Sequence, residues 1–162
     1  MALEIERKYL VAGTDWRVPG SGTHYRQGYL STVPERSVRV RIAGDKAYLT
    51  VKGAGTGAVR AEYEYAIPVK DACEMLDNLC KRPLIEKTRY TIEIQGLTWE
   101  VDEFRGANAG LVIAEVELEK EDQAIELPDW IGREVTGDPR YYNAYLIANP
   151  YNNWPRDEDQ MS

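Results

Sequence analysis

The chain has 162 residues, 43 % of them hydrophobic, enough for one domain with a substantial core, and no linker-like or low-complexity tract divides it. Its formal net charge of −7 argues against non-specific binding to nucleic acid or an anionic membrane. Phosphate backbones attract an excess of Lys and Arg, so any phosphate site here must be local. The charged start Met1–Lys8 is unlike a signal peptide, and no stretch approaches the ~18 apolar residues of a membrane span, so a cytoplasmic protein is expected.

Period-two alternation predicts eight antiparallel strands, near residues 3–11, 24–32, 36–43, 46–53, 58–67, 85–95, 98–105 and 112–119. Gly44-Asp45 and Gln95-Gly96 fall between alternating runs and suit tight hairpins. The glycine-rich run Lys52–Gly57 lacks the Gly-Lys-Ser/Thr ending of a P-loop and joins two strands, so it reads as a hairpin loop. Between the fifth and sixth strands, helical spacing from Val69 to Leu79 puts Ala72, Met75, Leu76 and Leu79 on one face. Cys73 and Cys80 in this segment are separated by roughly 10 Å of helix axis, too far for a disulfide. With His24 the single histidine, a Cys/His zinc site is excluded. After the eighth strand an acidic helical turn is expected at Glu121–Ile125. A helix opening at Pro128-Asp129-Trp130 and another near Arg140–Ala148 follow it. The domain is expected to span residues 1–150, with a polar tail over 151–162.

Residues i and i+2 of a strand face the same side, so each strand can be sorted by the face that carries its charges. One face of the first strand carries Glu4, Glu6 and Lys8; the third, Arg39 and Arg41; the fourth, Tyr48, Thr50 and Lys52. The fifth carries Arg60, Glu62 and Glu64; the sixth, Lys87 and Arg89; the seventh, Glu100 and Asp102; the eighth, Glu115, Glu117 and Glu119. For any one strand, a solvated outer face explains this pattern. Taken together, three features weigh against it. Like charges two apart on a strand repel unless something of opposite sign lies between. Arg fills three of the six basic places, and its planar fork suits bidentate phosphate contact. Acidic and basic strands also alternate around a ring. An eight-stranded closed antiparallel β-barrel, with flanking helices and a C-terminal helix, has an interior wide enough for side chains and one narrow ligand.

Seven acids (Glu4, Glu6, Glu62, Glu64, Asp102, Glu115, Glu117) and six bases (Lys8, Arg39, Arg41, Lys52, Lys87, Arg89) would share that lumen. Clustered carboxylates suit hard cations such as Mg2+ or Mn2+. Two such ions would shift the lumen from about −1 to about +3, a field matched to a polyanion. Tyr29 could shape a tunnel mouth or simply pack. The four tryptophans are expected to pack, and His24 is not expected to be catalytic.

Glu4-Ile5-Glu6-Arg7-Lys8 resembles the N-terminal Glu-x-Glu-x-Lys signature of the CYTH, or triphosphate tunnel metalloenzyme, superfamily. The resemblance continues through Arg39-Val40-Arg41, Lys52, Glu62-Tyr63-Glu64, Glu86–Tyr90, Asp102, Glu115-Val116-Glu117 and Arg140–Asn143. The short chain looks most like the compact bacterial inorganic tripolyphosphatases. The resemblance implies a small-molecule triphosphate bound with Mg2+ or Mn2+ and hydrolysed to pyrophosphate and phosphate. It makes Glu4, Glu6, Glu115 and Glu117 metal ligands, with Glu62, Glu64 and Asp102 serving a second ion or its water. Lys8, Arg39, Arg41, Lys52, Lys87, Arg89 and Arg140 would hold phosphate oxygens, and Glu62, Glu64, Lys52 and Lys87 are the catalytic candidates. Where some relatives place a Lys on the last helix, this chain has Tyr141–Tyr145. The same scaffold leaves open a class IV adenylate cyclase, an organic triphosphatase acting on thiamine or nucleoside triphosphate, or a non-catalytic polyphosphate-binding module. A homodimer is also left open.

Overall fold

A computed structural model describes residues 3–17, 22–56 and 58–155. Nine strands form: β1 (Leu3–Val11), β2 (Gly22–Ser31), β3 (Arg36–Ala43), β4 (Lys46–Thr56), β5 (Val59–Ile67), β6 (Ile85–Ile94), β7 (Leu97–Phe104), β8 (Val112–Glu117) and β9 (Ile131–Glu134). Helix α1 (Val69–Asn78) separates β5 from β6, and α2 (Asn143–Ala148) follows β9. The sheet runs β5-β4-β3-β2-β6-β7-β8-β1-β9, and a β5–β1 pairing closes the first eight strands into the expected barrel. All pairings are antiparallel, as hairpin connections favour. The β6–β7 hairpin turns on Gln95 (φ 52°) and Gly96 (φ 77°), the two left-handed residues that match the twist of the flanking strands.

β1 carries the closure by dividing one edge between two partners. Leu3–Ile5 pair with β5, while Tyr9 and Val11 pair with β9. The segment opening at Pro128-Asp129-Trp130, expected as a helix, is therefore a strand. Where β5 leaves β1, the open edge offers unpaired N–H and C=O groups, and pairing with them outweighs a weak local helix signal. Val135 N–H donates to Lys8 O at 2.8 Å and Ala12 N–H to Trp130 O at 2.8 Å, extending the contact beyond β9. Gly132 packs on the Leu10 backbone, where an added Cβ would lie 3.2 Å from the Leu10 oxygen. The expected acidic helix at Glu121–Ile125 is also absent: the stretch forms a turn, with Gln123 N–H donating to Lys120 O and its side chain capping Glu119 N–H. Five residues are too few to offset helix nucleation without packing.

Much of the barrel's outward apolar surface is covered, although Tyr63 and Tyr65 of β5 stay exposed. Ala72 and Leu76 of α1, one helical turn apart, are fully buried in a cluster with Val40 and Ala47. Trp16, Trp99, Val101, Ala114 and Val116 form a second cluster. The third lies at the end of the barrel itself. Leu10, Ile113, Phe104 and Ile85 share the inward parity of Lys8, Glu115, Asp102 and Lys87, so the lumen-facing residues change from charged to apolar along each strand. Leu146 and Ile147 of α2 join this apolar floor. The last described residues also pack: Trp154 meets Tyr141, Tyr145 and Tyr151 edge-on, and its Nε1 donates to Asn149 O at 2.7 Å. Residues 156–162 of the expected tail lie outside the described residues. No described helix is long and apolar enough to cross a membrane.

Candidate active site

The alternation of β1 turns Glu4, Glu6 and Lys8 inward together, and the same parity brings the charged faces of β3 to β8 into one cavity of about 780 Å³. It is lined by the expected acids Glu4, Glu6, Glu62, Glu64, Glu115 and Glu117 and the expected bases Lys8, Arg39, Arg41, Lys52, Lys87 and Arg89. Acids and bases are cross-paired inside it. Lys52 Nζ donates to Glu4 at 3.0 Å, and Arg89 Nη1 donates to Glu100 at 3.2 Å. Lys8 stands 3.6 Å from Glu115, and Arg39 3.7 Å from Glu64, whose carboxylate accepts from Thr50 at 3.0 Å. Arg39 Nε is buried with no partner among the described residues.

Two expected site residues lie elsewhere. Asp102, expected as a metal ligand, does not line the cavity. It is buried beneath the bases, accepting from Arg89 Nε at 2.7 Å, Arg89 Nη2 at 2.9 Å and Lys87 Nζ at 2.7 Å. Its neighbours explain this: Phe104 and Ile113 beside it belong to the apolar floor, where a carboxylate is tolerated only if its charge is matched. Arg140, expected to hold phosphate, also lies outside the lining, because its guanidinium bonds Asp138 in its own 3-10 turn at 2.8 Å.

The burial of so many charges displaces their protonation equilibria. Burial and then Glu115 push the Glu6 carboxyl up to about 8. Burial also raises Glu4, assisted by a hydrogen bond shared with Glu62. For Glu115 burial acts in the same sense, but Lys8 and Arg89 outweigh it and hold the group down at about 2. Asp102 is likewise kept ionised against burial by Arg89 and Lys87, well below the usual carboxylate range. One carboxylate cannot compensate two cations fully: burial, with Arg89 and Arg41 close by, depresses the Lys87 ammonium to about 7 despite Asp102. Burial and the neighbouring Arg39 and Arg89 bring Arg41 down to about 9.

The lumen holds further residues. Arg60 and Glu100 line it, and both stood on charged faces of the alternating strands, which is the signal that could have included them. Tyr25 lies beneath two guanidiniums, with Arg41 4.8 Å and Arg89 4.9 Å from its ring centre. Tyr142 similarly faces Arg60 at 4.9 Å and Lys8 at 5.2 Å. Such contacts help to hold cations close together, adding to the acids that pair Arg89 and Lys8. Sorting strands by charge passed over β2, whose inward residues are Tyr25, Gln27 and Tyr29. Tyr29 both lines the cavity and packs in the apolar floor, while His24 is exposed and outside the site.

A charged tunnel inside a closed β-barrel defines the class, and the CYTH domain family matches residues 2–142, so the chain belongs to that family. It is 56 % identical over 154 residues to an inorganic triphosphatase of Acetivibrio thermocellus, covering 95 % of this chain and 99 % of that protein. It is 41 % identical over 153 residues to an inorganic triphosphatase of Nitrosomonas europaea, covering 90 % and 97 %. Among solved structures, a crystal structure of an inorganic triphosphatase superposes with TM-score 0.63 at 38 % identity, over 91 % of this chain and 95 % of that one. A protein of Pyrococcus horikoshii shares the fold at 19 % identity with TM-score 0.56, over 74 % and 80 %.

Proposed function

We propose that this chain hydrolyses inorganic triphosphate to pyrophosphate and phosphate in the barrel lumen, with Mg2+ or Mn2+, as a cytoplasmic enzyme. The observation that carries the reading is the convergence of Lys8, Arg39, Arg41, Lys52, Lys87 and Arg89 on one cavity inside the barrel. The similarity to two inorganic triphosphatases supports the same substrate.

Among the described residues no three acidic, His or Cys side chains are gathered into a ready-made metal cage. The donor chemistry nevertheless fits a hard cation. The inward carboxylates supply only oxygen, and burial and Glu115 push the Glu6 carboxyl up to about 8, a shift that a neighbouring divalent charge would oppose. Glu4, Glu6, Glu115 and Glu117 would hold the ion, Glu4 leaving Lys52 and Glu115 leaving Lys8 to do so. When bound, the ion neutralises phosphate oxygens and acidifies the attacking water.

The side chains do the remaining work. Arg39, Arg41 and Arg89 neutralise the equatorial oxygens, where charge is spread during phosphoryl transfer. Glu62 or Glu64 accepts the proton of a water whose oxygen bonds the terminal phosphorus as the bridging P–O bond breaks. Lys52 and Lys87 stabilise the pyrophosphate that leaves. Barrel walls and the apolar floor limit water, which strengthens each of these interactions.

Phosphate release from inorganic triphosphate, ATP and thiamine triphosphate, with either metal and with EDTA, tests the reading. Inorganic triphosphate should be the preferred substrate, EDTA should abolish turnover, and Glu6→Gln should lower it at least ~100-fold. Turnover by Glu6→Gln at the wild-type rate, or preference for an organic triphosphate, would refute it.

A further inference from the structure

At the floor of the lumen two neutral amides join two cations. Gln27 on β2 is fully buried. Arg41 Nε donates to Gln27 Oε1 at 2.7 Å, Gln27 Nε2 donates to Asn143 Oδ1 at 2.8 Å, and Lys87 Nζ donates to the same oxygen at 2.9 Å. A guanidinium N–H can only donate, so Arg41 fixes Gln27, Gln27 in turn fixes Asn143, and the direction of every bond in this chain is forced in either charge state of Lys87. Gln27 must turn its oxygen to Arg41 and its NH2 to Asn143. Asn143 must turn its oxygen to both donors. Neither amide can flip without setting a donor against a donor.

The consequence lies on the other side of Asn143. Its oxygen faces the buried Gln27 and Lys87, while the residue itself lines the cavity. Among the described residues its Nδ2 makes no hydrogen bond. In its charged form Lys87 is similarly poised: two of its three N–H donors go to Asp102 and Asn143, which leaves one for the cavity. A Lys in place of Asn143 could not accept from Lys87 and would add another cation beside Lys87 and Arg41. An amide supplies a donor to the lumen at no such cost.

We propose that Asn143 is a substrate-contacting residue. Its Nδ2 donates to an oxygen of bound inorganic triphosphate, and the Arg41, Gln27 and Lys87 bonds hold it in that orientation. This rests on the functional reading above, and it makes α2 part of the substrate site.

Two substitutions separate contact from folding. Asn143→Asp keeps an acceptor for Gln27 and Lys87 but turns a carboxylate oxygen, in place of NH2, toward the phosphate. Gln27→Glu presents acceptors to both Arg41 and Asn143, so Asn143 can answer it only by turning its NH2 inward, away from the lumen and at the cost of its bond from Lys87, with no cavity-lining residue substituted. Calorimetric binding of inorganic triphosphate, with and without Mg2+, should weaken about 10- to 100-fold in Asn143→Asp, the worth of a hydrogen bond to a charged partner. Gln27→Glu should weaken it in the same direction, with some loss of melting temperature from the broken Lys87 bond, while Asn143→Asp, which keeps an acceptor for both donors, should keep the wild-type melting profile. Wild-type affinity in Asn143→Asp overturns the inference and, if the wild type turns over triphosphate, leaves the functional reading standing. Binding by the wild type without turnover, weakened in Asn143→Asp, overturns the functional reading and supports the inference. Absence of binding to the wild type overturns both.

Discussion

Replacing Asp102 with Asn removes a charge from beneath two cations while leaving the volume unchanged. Asp102 Oδ2 accepts from both Arg89 Nη2 and Lys87 Nζ, and Oδ1 from Arg89 Nε. In the variant one oxygen remains, and the new NH2 opposes at least one donor. Asp102 and Lys87 are each only 1 % exposed, so water cannot relieve the mismatch. Removing one member of such a buried pair costs about 3–5 kcal/mol. For a chain of this length each kcal/mol lowers the melting temperature by about 2–4 °C, which gives a fall of about 6–20 °C. Thermal unfolding followed by circular dichroism at pH 7, in the absence of metal, measures it. Adding Lys87→Met to Asp102→Asn should recover part of the loss, since one unpaired cation is then removed. A fall of less than about 2 °C would refute the reasoning, because it would mean that the triad is not desolvated. If instead stability held while Mg2+ affinity collapsed, Asp102 would be a metal ligand after all.

Three further outcomes follow from the site and the C-terminal packing. The folded Lys87 ammonium titrates at about 7 against 10.5 for the ordinary side chain. The unfolded chain therefore binds more protons between these values, and this group's contribution to stability rises with pH through that window. Lys87→Met should flatten that rise in urea unfolding measured from pH 7 to 10. A bound polyanion favours the charged form, so triphosphate binding at pH 8 should take up a proton, visible as a dependence of calorimetric heat on buffer ionisation. No difference between wild type and Lys87→Met in either measurement would contradict this assignment. Trp154→Ala should remove three edge-on aromatic contacts and the bond to Asn149 O, lowering stability by about 2 kcal/mol and melting by about 4–8 °C. An unchanged melting temperature would show that residues 150–155 do not hold α2 in place.

The barrel and the composition of its lumen were legible in the sequence because strand periodicity is local: Glu4, Glu6 and Lys8 share a face wherever β1 lies. Parity names a face but not a depth along the barrel, which is why Asp102 was grouped with the lumen acids although it sits in the floor with Phe104 and Ile113. It is equally blind to residues that serve the site without charge, so Tyr25 and Gln27 went unmarked and Asn143 stood out only as the end of a matching motif. β9 had no strong local signal, since it exists only because β1 exposes an edge where β5 departs. Arg140 lies within a matching motif, but its neighbour Asp138 captures it outside the cavity. Local alternation thus settled which residues look inward, while strand closure and the seating of α2 settled which of them meet, because both depend on partners far apart in the chain.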